Sequence, residues 1–487
     1  MRWLTGVVAV AALVVAGCGG TVGAGAGASD VVPASAAAFI AVDTNPDSSQ
    51  WNTIEDLASR FPDEEKGVRE LKRSFHEDTG LRWENDIKPA LGDEVDVVWL
   101  DFKNDGDNVV ALLQPKDEAK FKEVIAKANA KDPKDPDFYE KYRGWYVFAD
   151  KRALIDRFKR ASDSASQTLS DVSDFRRSMD KLGSDAVARA YVSGDAIMNV
   201  IRQYGGSEVR PYLEKAGTLN WLAAKIGAKE DGVGLDVIVH GTPGKLFKGI
   251  PTTNSFKPKL LDDVPQDAFA YYTFHGTKNM FSALEKNELF KTPEFRQLAG
   301  PLRQIGTILQ GENALYVRPG NSRSADVPFD IPEVTLIAAP GDGVDGAAIV
   351  DRLLRKQGGV VPQRTKIAGA DVRKLATPGG LGLYYANLDG KLVATDLPAG
   401  IRTVKDGRKS LSDNETFKQT KESSGLPDKS QGFLYVDIHS TIPVVEKLAQ
   451  QRVPNEIRRN LKPLRSAIEY GVSRSHELQV TFFLRIK

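Results

Sequence analysis

Two long stretches of this 487-residue chain repeat the same landmarks in the same order. Val32 and Pro33 open the first stretch, and Val264 and Pro265 open the second. The later matches pair 92–94 with 311–313, 109–115 with 334–340, 144–150 with 390–396, 169–175 with 411–417, 191–192 with 435–436, and 235–237 with 478–480. This collinear series predicts two copies of one fold, 31–250 and 260–487. The polar, proline-containing stretch 251–259 is the expected linker.

Each copy mixes short strands with amphipathic helices. The strand candidates of the first copy are rich in Val, Ile and aromatic residues and are bounded by turn residues; they are 39–43, 95–102, 108–113, 145–149, 188–193 and 234–240. The helix candidates are 54–60, 117–130, 154–161 and 172–182. Residues 104–107 predict a hairpin turn. The pattern predicts an α+β fold, with two tandem copies of a mixed, largely antiparallel sheet and covering helices.

Two strands allow a prediction of their surroundings. The final strand, 478–487, alternates, and the set expected to face the core is Leu478, Val480, Phe482, Leu484 and Ile486. Both faces of 95–102 are largely apolar. This pattern is typical of a strand with helices on both sides, and a ligand cavity on one side would produce the same pattern.

The first residues have the layout of a secretory signal. Arg2 is the only charge before Cys18, and the apolar run 7–17 is shorter than the roughly 20 residues that a membrane-spanning helix needs. Residues 15–18 read Val-Ala-Gly-Cys and resemble the lipobox of bacterial lipoproteins. The resemblance implies a signal peptide over 1–17 and a lipidated Cys18 that anchors the protein on the extracytoplasmic face of the cell membrane. The alternative is an ordinary secretory signal in which Cys18 is incidental.

The residues after the lipobox and the overall charge limit the possible partners. Residues 18–30 are nearly all small and predict a flexible tether. The chain has 66 basic and 65 acidic residues, which argues against binding to nucleic acid, since such proteins show a basic face. Cys18 is the only cysteine, so the mature protein is expected to lack disulfides. A zinc site would need distant His and carboxylate residues to converge.

Four short patterns in the sequence are candidates for chemical sites. The five histidines, His76, His240, His275, His439 and His476, are not at metal-ligand spacing. The acidic loop 101–107 lacks calcium ligands at Lys103 and Leu112. Residues 379–382 precede a strand rather than a helix, which favours a turn over a phosphate loop.

The fourth pattern is the pair 178–181 and 412–414, which match the S-x-x-K and S-D-N motifs of penicillin-recognising enzymes. The third motif of those enzymes is missing, and the two matches lie in different copies. Ser170-Asp171 and Ser412-Asp413 each precede a helix, so capping of the first helical turn is the favoured interpretation.

The Val-Pro openings, the lipobox and the doubled layout together resemble a family of bacterial lipoproteins, frequent in actinobacteria, that is known as domain of unknown function 3352. The resemblance implies no activity. We therefore expect a non-enzymatic envelope protein without cofactors, which binds an unknown protein or ligand or has a structural role. The alternatives are a carrier or chaperone of lipid or another apolar ligand, and an enzyme of unrecognised type.

Overall fold

A computed structural model describes residues 27–206, 217–243, 255–277, 293–320, 331–376, 382–407 and 409–487. These residues fall into two compact units, which divide between Thr242 and Pro243. This division precedes the linker expected at 251–259. The strand pairings are antiparallel and helices alternate with strands along the chain, so the fold is α+β.

The first unit contains, within the described residues, eight strands and seven α-helices. The strands are β1 (Ala38–Asp43), β2 (Glu94–Trp99), β3 (Val109–Leu113), β4 (Phe138–Tyr142), β5 (Trp145–Ala149), β6 (Ala188–Ser193), β7 (Gly217–Lys229) and β8 (Gly232–Pro243). The helices are α1 (Ser49–Ser59), α2 (Glu64–Thr79), α3 (Lys88–Ala90), α4 (Glu118–Lys131), α5 (Arg152–Ser164), α6 (Ser173–Leu182) and α7 (Gly194–Tyr204). The strand order is β4-β5-β3-β2-β1-β6-β7, and β8 follows β7 after a turn at Glu230 and Asp231.

The second unit contains ten strands and six α-helices in its described part. The strands are β9 (Ala270–Gly276), β10 (Gly311–Arg318), β11 (Glu333–Ala339), β12 (Gln363–Ile367), β13 (Ala370–Ala376), β14 (Gly382–Leu388), β15 (Lys391–Thr395), β16 (Gly432–Asp437), β17 (Leu464–Arg474) and β18 (Glu477–Ile486). The helices are α8 (Pro293–Leu309), α9 (Gly346–Gly358), α10 (Pro398–Asp406), α11 (Glu415–Ser424), α12 (Ile438–Ala449) and α13 (Asn455–Leu461). The strand order is β12-β13-β14-β15-β11-β10-β9-β16-β17-β18.

Strand β2 is covered by helices on both faces. Val98 belongs to the apolar cluster that contains Phe158 of α5 and Phe175 of α6. Val95 belongs to a separate cluster with Phe121 of α4. The apolar character of both faces therefore arises from packing, and the cavity alternative is not needed to explain it.

The final strand packs its other face on the core. In β18, Thr481, Phe483 and Arg485 are buried, whereas Leu478 is 39% exposed and Phe482 is 42% exposed. The predicted core set of Leu478, Val480, Phe482, Leu484 and Ile486 is therefore wrong as a set, although Ile486 is buried.

The prediction for β18 failed because the partly exposed face of the sheet also carries apolar side chains. Leu315 in β10 lies opposite Tyr272 in β9, and Tyr272 lies opposite Leu434 in β16. These three side chains are 38%, 44% and 40% exposed. On the covered face, α11 provides polar partners, since Arg485 donates to Gln419 Oε1 at 2.7 Å. Apolar alternation alone therefore does not identify the core face here.

Two further expectations need correction. The predicted tether 18–30 is too long at its C-terminal end, because Gly27–Asp30 forms a 3₁₀ helix and Ala28 is fully buried in the first unit. The hairpin predicted at 104–107 does join the antiparallel strands β2 and β3, but its connection is longer than a tight turn and contains the 3₁₀ helix Asn104–Gly106. Among the described helices, none combines the length and the apolar character needed to cross a membrane.

Candidate functional site

The first unit has a groove along helix α7. A polar part of about 440 Å³ lies between this helix and the segment after β2, and an apolar part of about 440 Å³ adjoins it. Phe102 and Val200 line both parts, so the two volumes adjoin along α7 and together make an amphipathic groove surface. Each volume is within the roughly 300–1,000 Å³ that is usual for small-molecule sites.

Local sequence places α7 beside the groove. Ser193 caps the helix, with its Oγ accepting from Ala196 N at 3.5 Å. Gly194 follows, and a Cβ at this position would lie 1.9 Å from the carbonyl oxygen of Leu219 in β7. Only glycine therefore allows the helix to begin this close to the strand.

The apolar wall of the groove is one stripe of α7. Its members are spaced three and four residues apart and are Ile197, Val200, Ile201 and Tyr204. Tyr204, at the C-terminal end of the helix, is 56% exposed. The stripe is thus only partly covered, which is unusual for four large apolar side chains in a row on a helix.

The polar part offers hydrogen bonds rather than proton transfer. Burial alone would raise the pKa of Asp101, but hydrogen bonds from Arg157, Asn108 and the Lys103 backbone outweigh burial and lower the pKa. Burial raises the pKa of Tyr191 to about 12, so its hydroxyl is protonated at neutral pH. The described residues that line the groove include no His or Cys. The hydroxyl and amide groups of the polar part, beside the apolar part, suit the binding of a ligand.

The penicillin-enzyme patterns have structural roles. Ser178 is fully buried in α6, and its Oγ donates to the carbonyl of Phe175 at 2.7 Å. Asp413 Oδ2 accepts from the backbone N–H of Ser410 at 3.1 Å, in a capping box around a 3₁₀ helix. Asp171 and Thr168 form the same box in the first unit, at 2.9 Å.

The Ser-Asp pairs do take part in helix capping, but the helices that they cap lie one turn before the predicted α-helices. The Ser-Asp pairs belong to the 3₁₀ helices Leu169–Asp171 and Leu411–Asp413, which precede the α-helices. Asn414 caps α11 itself, because its Oδ1 accepts from Phe417 N at 3.0 Å.

Residue 382 begins β14, whereas 379–381 of the glycine-rich stretch lie outside the described residues.

The histidines are dispersed within their units. His240 stacks on Trp221 with ring centroids 5.1 Å apart, and His76 Nδ1 lies 3.3 Å from the carbonyl oxygen of Leu81. In the described residues, no three His, Cys, Asp or Glu side chains are grouped to hold a metal ion. Cys18 and residues 1–17 lie outside the described residues.

A buried acidic cluster lies where the described chain begins. Glu94 Oε1 accepts from Gly27 N at 3.0 Å, and Asp96 Oδ2 accepts from Ala28 N at 3.2 Å. Asp96 is fully buried, and burial together with the charge of Glu94 raises its pKa well above the ordinary value. Asp43 lies opposite Glu94 in the sheet, and burial raises its pKa to about 6. Asp43 and Asp96 are both fully buried, so their protonation affects the stability of the first unit.

We expect Asp43→Asn to change how the stability of the first unit depends on pH. Unfolded Asp43 releases its proton near pH 3.8, whereas folded Asp43 retains it up to about pH 6. A raised carboxyl pKa contributes stability at low pH that is lost as the pH rises through this window. The difference in unfolding free energy between the Asn variant and wild type should therefore move in favour of the variant by up to about 3 kcal/mol between pH 4 and pH 7.

Urea unfolding followed by tryptophan fluorescence measures this effect, because all six tryptophans precede Pro243. Asp101→Asn is the matched control, since the lowered pKa of Asp101 predicts a pH dependence of opposite sign. A free-energy difference between Asp43→Asn and wild type that stays constant from pH 4 to pH 7 would contradict the assignment.

Comparison with known proteins gives one family match. The family described as "Protein of unknown function (DUF3352)" matches residues 3–485. No curated protein matches the chain. Two solved structures, crystal forms III and IV of TP0453, are each 14% identical to it with TM-scores of 0.26. The first match covers 45% of this chain and 77% of the other, and the second covers 46% and 79%. A likeness of this size carries no inference about fold or function.

Proposed function

The chain belongs to the DUF3352 family of proteins of unknown function, and we propose that it is a membrane-anchored envelope lipoprotein that binds an amphipathic ligand without altering it chemically. The observation that carries this proposal is the groove along α7. Its polar part provides side-chain amides at Asn199, Gln203 and Asn220. Its apolar part continues along the same helix to Tyr204. A molecule with a polar end and an apolar body would satisfy both parts.

Anchoring and location rest on the start of the chain. The single cysteine stands at the position that the lipobox requires, and the run before it has the length of a signal peptide. The folded part begins by Gly27, which leaves only a short, small-residue segment between Cys18 and the first unit. We propose that the first unit is therefore held close to the outer face of the cell membrane.

We further propose that the two units are tandem copies of one fold. The strand order β5-β3-β2-β1-β6-β7 in the first unit is matched by β15-β11-β10-β9-β16-β17 in the second. Each unit also joins its Val-Pro opening to a capping box, since Leu169 N donates to Val32 O and Leu411 N donates to Val264 O, both at 2.8 Å. The hairpin β12–β13 has no counterpart in the first unit's described strands.

Native mass spectrometry of the protein purified from its own host tests the binding proposal. We expect an additional mass, released on denaturation, that belongs to an amphipathic molecule. Val200→Asp and Tyr204→Asp should reduce its occupancy at least about tenfold, because a charge in the apolar part of the groove loses its hydration.

Ile226→Asp is the matched control, because Ile226 is 46% exposed in the same unit and does not line the groove. Occupancy should be unchanged in this variant. The binding proposal is wrong if wild type carries no ligand and takes up none from a total lipid extract of the host. A ligand that also moves between vesicles in the presence of the protein would favour the alternative function, a lipid carrier.

A further inference from the structure

We propose that helices α12 and α13 of the second unit form a hairpin that binds the surface of an anionic membrane. Its basic side chains would contact lipid headgroups, and three apolar side chains would enter the interface between headgroups and acyl chains. This surface is separate from the α7 groove and does not require lipidation of Cys18.

The apolar side chains of the hairpin are exposed. Val445 is 48% exposed, Leu448 is 46% exposed and Ile457 is 52% exposed. Neither α12 nor α13 contains a buried residue. Val445 and Leu448 are three residues apart and therefore neighbours on α12. Exposed apolar side chains on an amphipathic helix are the feature by which such helices enter a membrane interface.

The charge of the hairpin indicates which surface it would bind. Between 438 and 462, five basic residues stand against two acidic ones, although the net charge of the whole chain is only +1. The basic residues are Lys447, Arg452, Arg458, Arg459 and Lys462, and the acidic residues are Glu446 and Glu456. A local positive excess beside exposed apolar side chains complements anionic headgroups and would be poorly matched to a purely apolar protein groove.

The hairpin is held in shape by internal contacts. Gln450 ends α12 in a left-handed conformation, with a φ of 51°. Glu446 accepts from the backbone N–H of Val453 at 2.9 Å and pairs with Arg458 of α13. These contacts fix the position of the α13 start relative to α12, so the exposed apolar residues stand on a segment that is ordered before any lipid is bound. A preformed surface avoids the entropic cost of ordering on binding.

The test uses the full chain with Cys18→Ser and a single new cysteine, Leu448→Cys, that carries an environment-sensitive dye. We expect a blue shift of its emission with vesicles that contain phosphatidylglycerol and little change with phosphatidylcholine alone. The dye reports its own surroundings, so attachment through the apolar run 7–17 does not by itself produce the shift. Asp135→Cys, in an exposed turn of the first unit, is the labelled control and should show no shift.

Charge reversal separates specific binding from simple proximity. Arg452→Glu combined with Lys462→Glu should raise the half-saturating lipid concentration at least about 30-fold, which is equivalent to about 2 kcal/mol. Added salt should weaken binding of the unreversed chain. The proposal fails if the dye at 448 does not respond to anionic vesicles, or if charge reversal leaves the response unchanged. In either case, the exposed apolar residues would be better explained by a protein partner.

Discussion

Cells that produce the Cys18→Ser variant are expected to lose the lipid-modified form of the protein. The thiolate of cysteine is the nucleophile that accepts a lipid group, and the serine hydroxyl is far less reactive at neutral pH. The chain offers no second thiol. We therefore expect incorporation of a clickable palmitate analogue to fall to background. The protein should then appear in the soluble fraction or remain as an unprocessed precursor.

Thr21→Ala is the matched control, because Thr21 lies in the same small-residue segment and carries no thiol. Its labelling and membrane fraction should equal those of wild type. Palmitate incorporation that persists in the Cys18→Ser variant would contradict the assignment. A wild-type protein that takes up no palmitate label would favour the alternative of an ordinary secretory signal with an incidental cysteine.

The strands were predictable wherever β-branched and aromatic residues form short runs between turns. β5 and β6 occupy the predicted 145–149 and 188–193 without change. Helix α2 was missed although Val68, Leu71 and Phe75 stand at helical spacing, because these three are its only large apolar residues in a strongly polar segment and Phe75 alone is buried. The pairing partners and the covered face of β18 depend on contacts distant in sequence, and no local pattern contains them.

The groove was missed for a different reason. The stripe Ile197, Val200, Ile201 and Tyr204 has helical spacing and follows a capping serine, so α7 was detectable from the sequence. The sequence does not show that this stripe is left partly exposed to solvent, because a fully buried helix would have the same sequence pattern. The glycine at 194 signals a close backbone approach only once β7 is known to lie beside it.

A buried ion pair in the second unit is the basis of the second large expected effect. Arg318 Nε donates to Glu333 Oε1 at 2.7 Å, and Arg318 Nη2 donates to Oε2 at 2.9 Å. Glu333 is fully buried, and the two residues lie opposite each other in β10 and β11. We expect Arg318→Met to destabilise the second unit by about 3–5 kcal/mol, because it leaves a buried carboxylate without its partner.

The double variant Arg318→Met/Glu333→Leu distinguishes a buried charge from lost packing. Removing both charges eliminates the uncompensated carboxylate, so most of the lost stability should return. Arg69→Met is the control for an exposed pair with Glu65 and should change stability by less than about 0.5 kcal/mol.

Urea unfolding followed by circular dichroism reports on both units, whereas tryptophan fluorescence reports on the first alone, because the second contains no tryptophan. Arg318→Met should lower the urea midpoint of the dichroism change that belongs to the second unit. The fluorescence transition, which belongs to the first unit, should stay where it is. If both signals shift together, the units unfold as one body. If neither shifts, the buried pair at Arg318 and Glu333 contributes nothing measurable to stability, and the pairing of β10 with β11 does not depend on it.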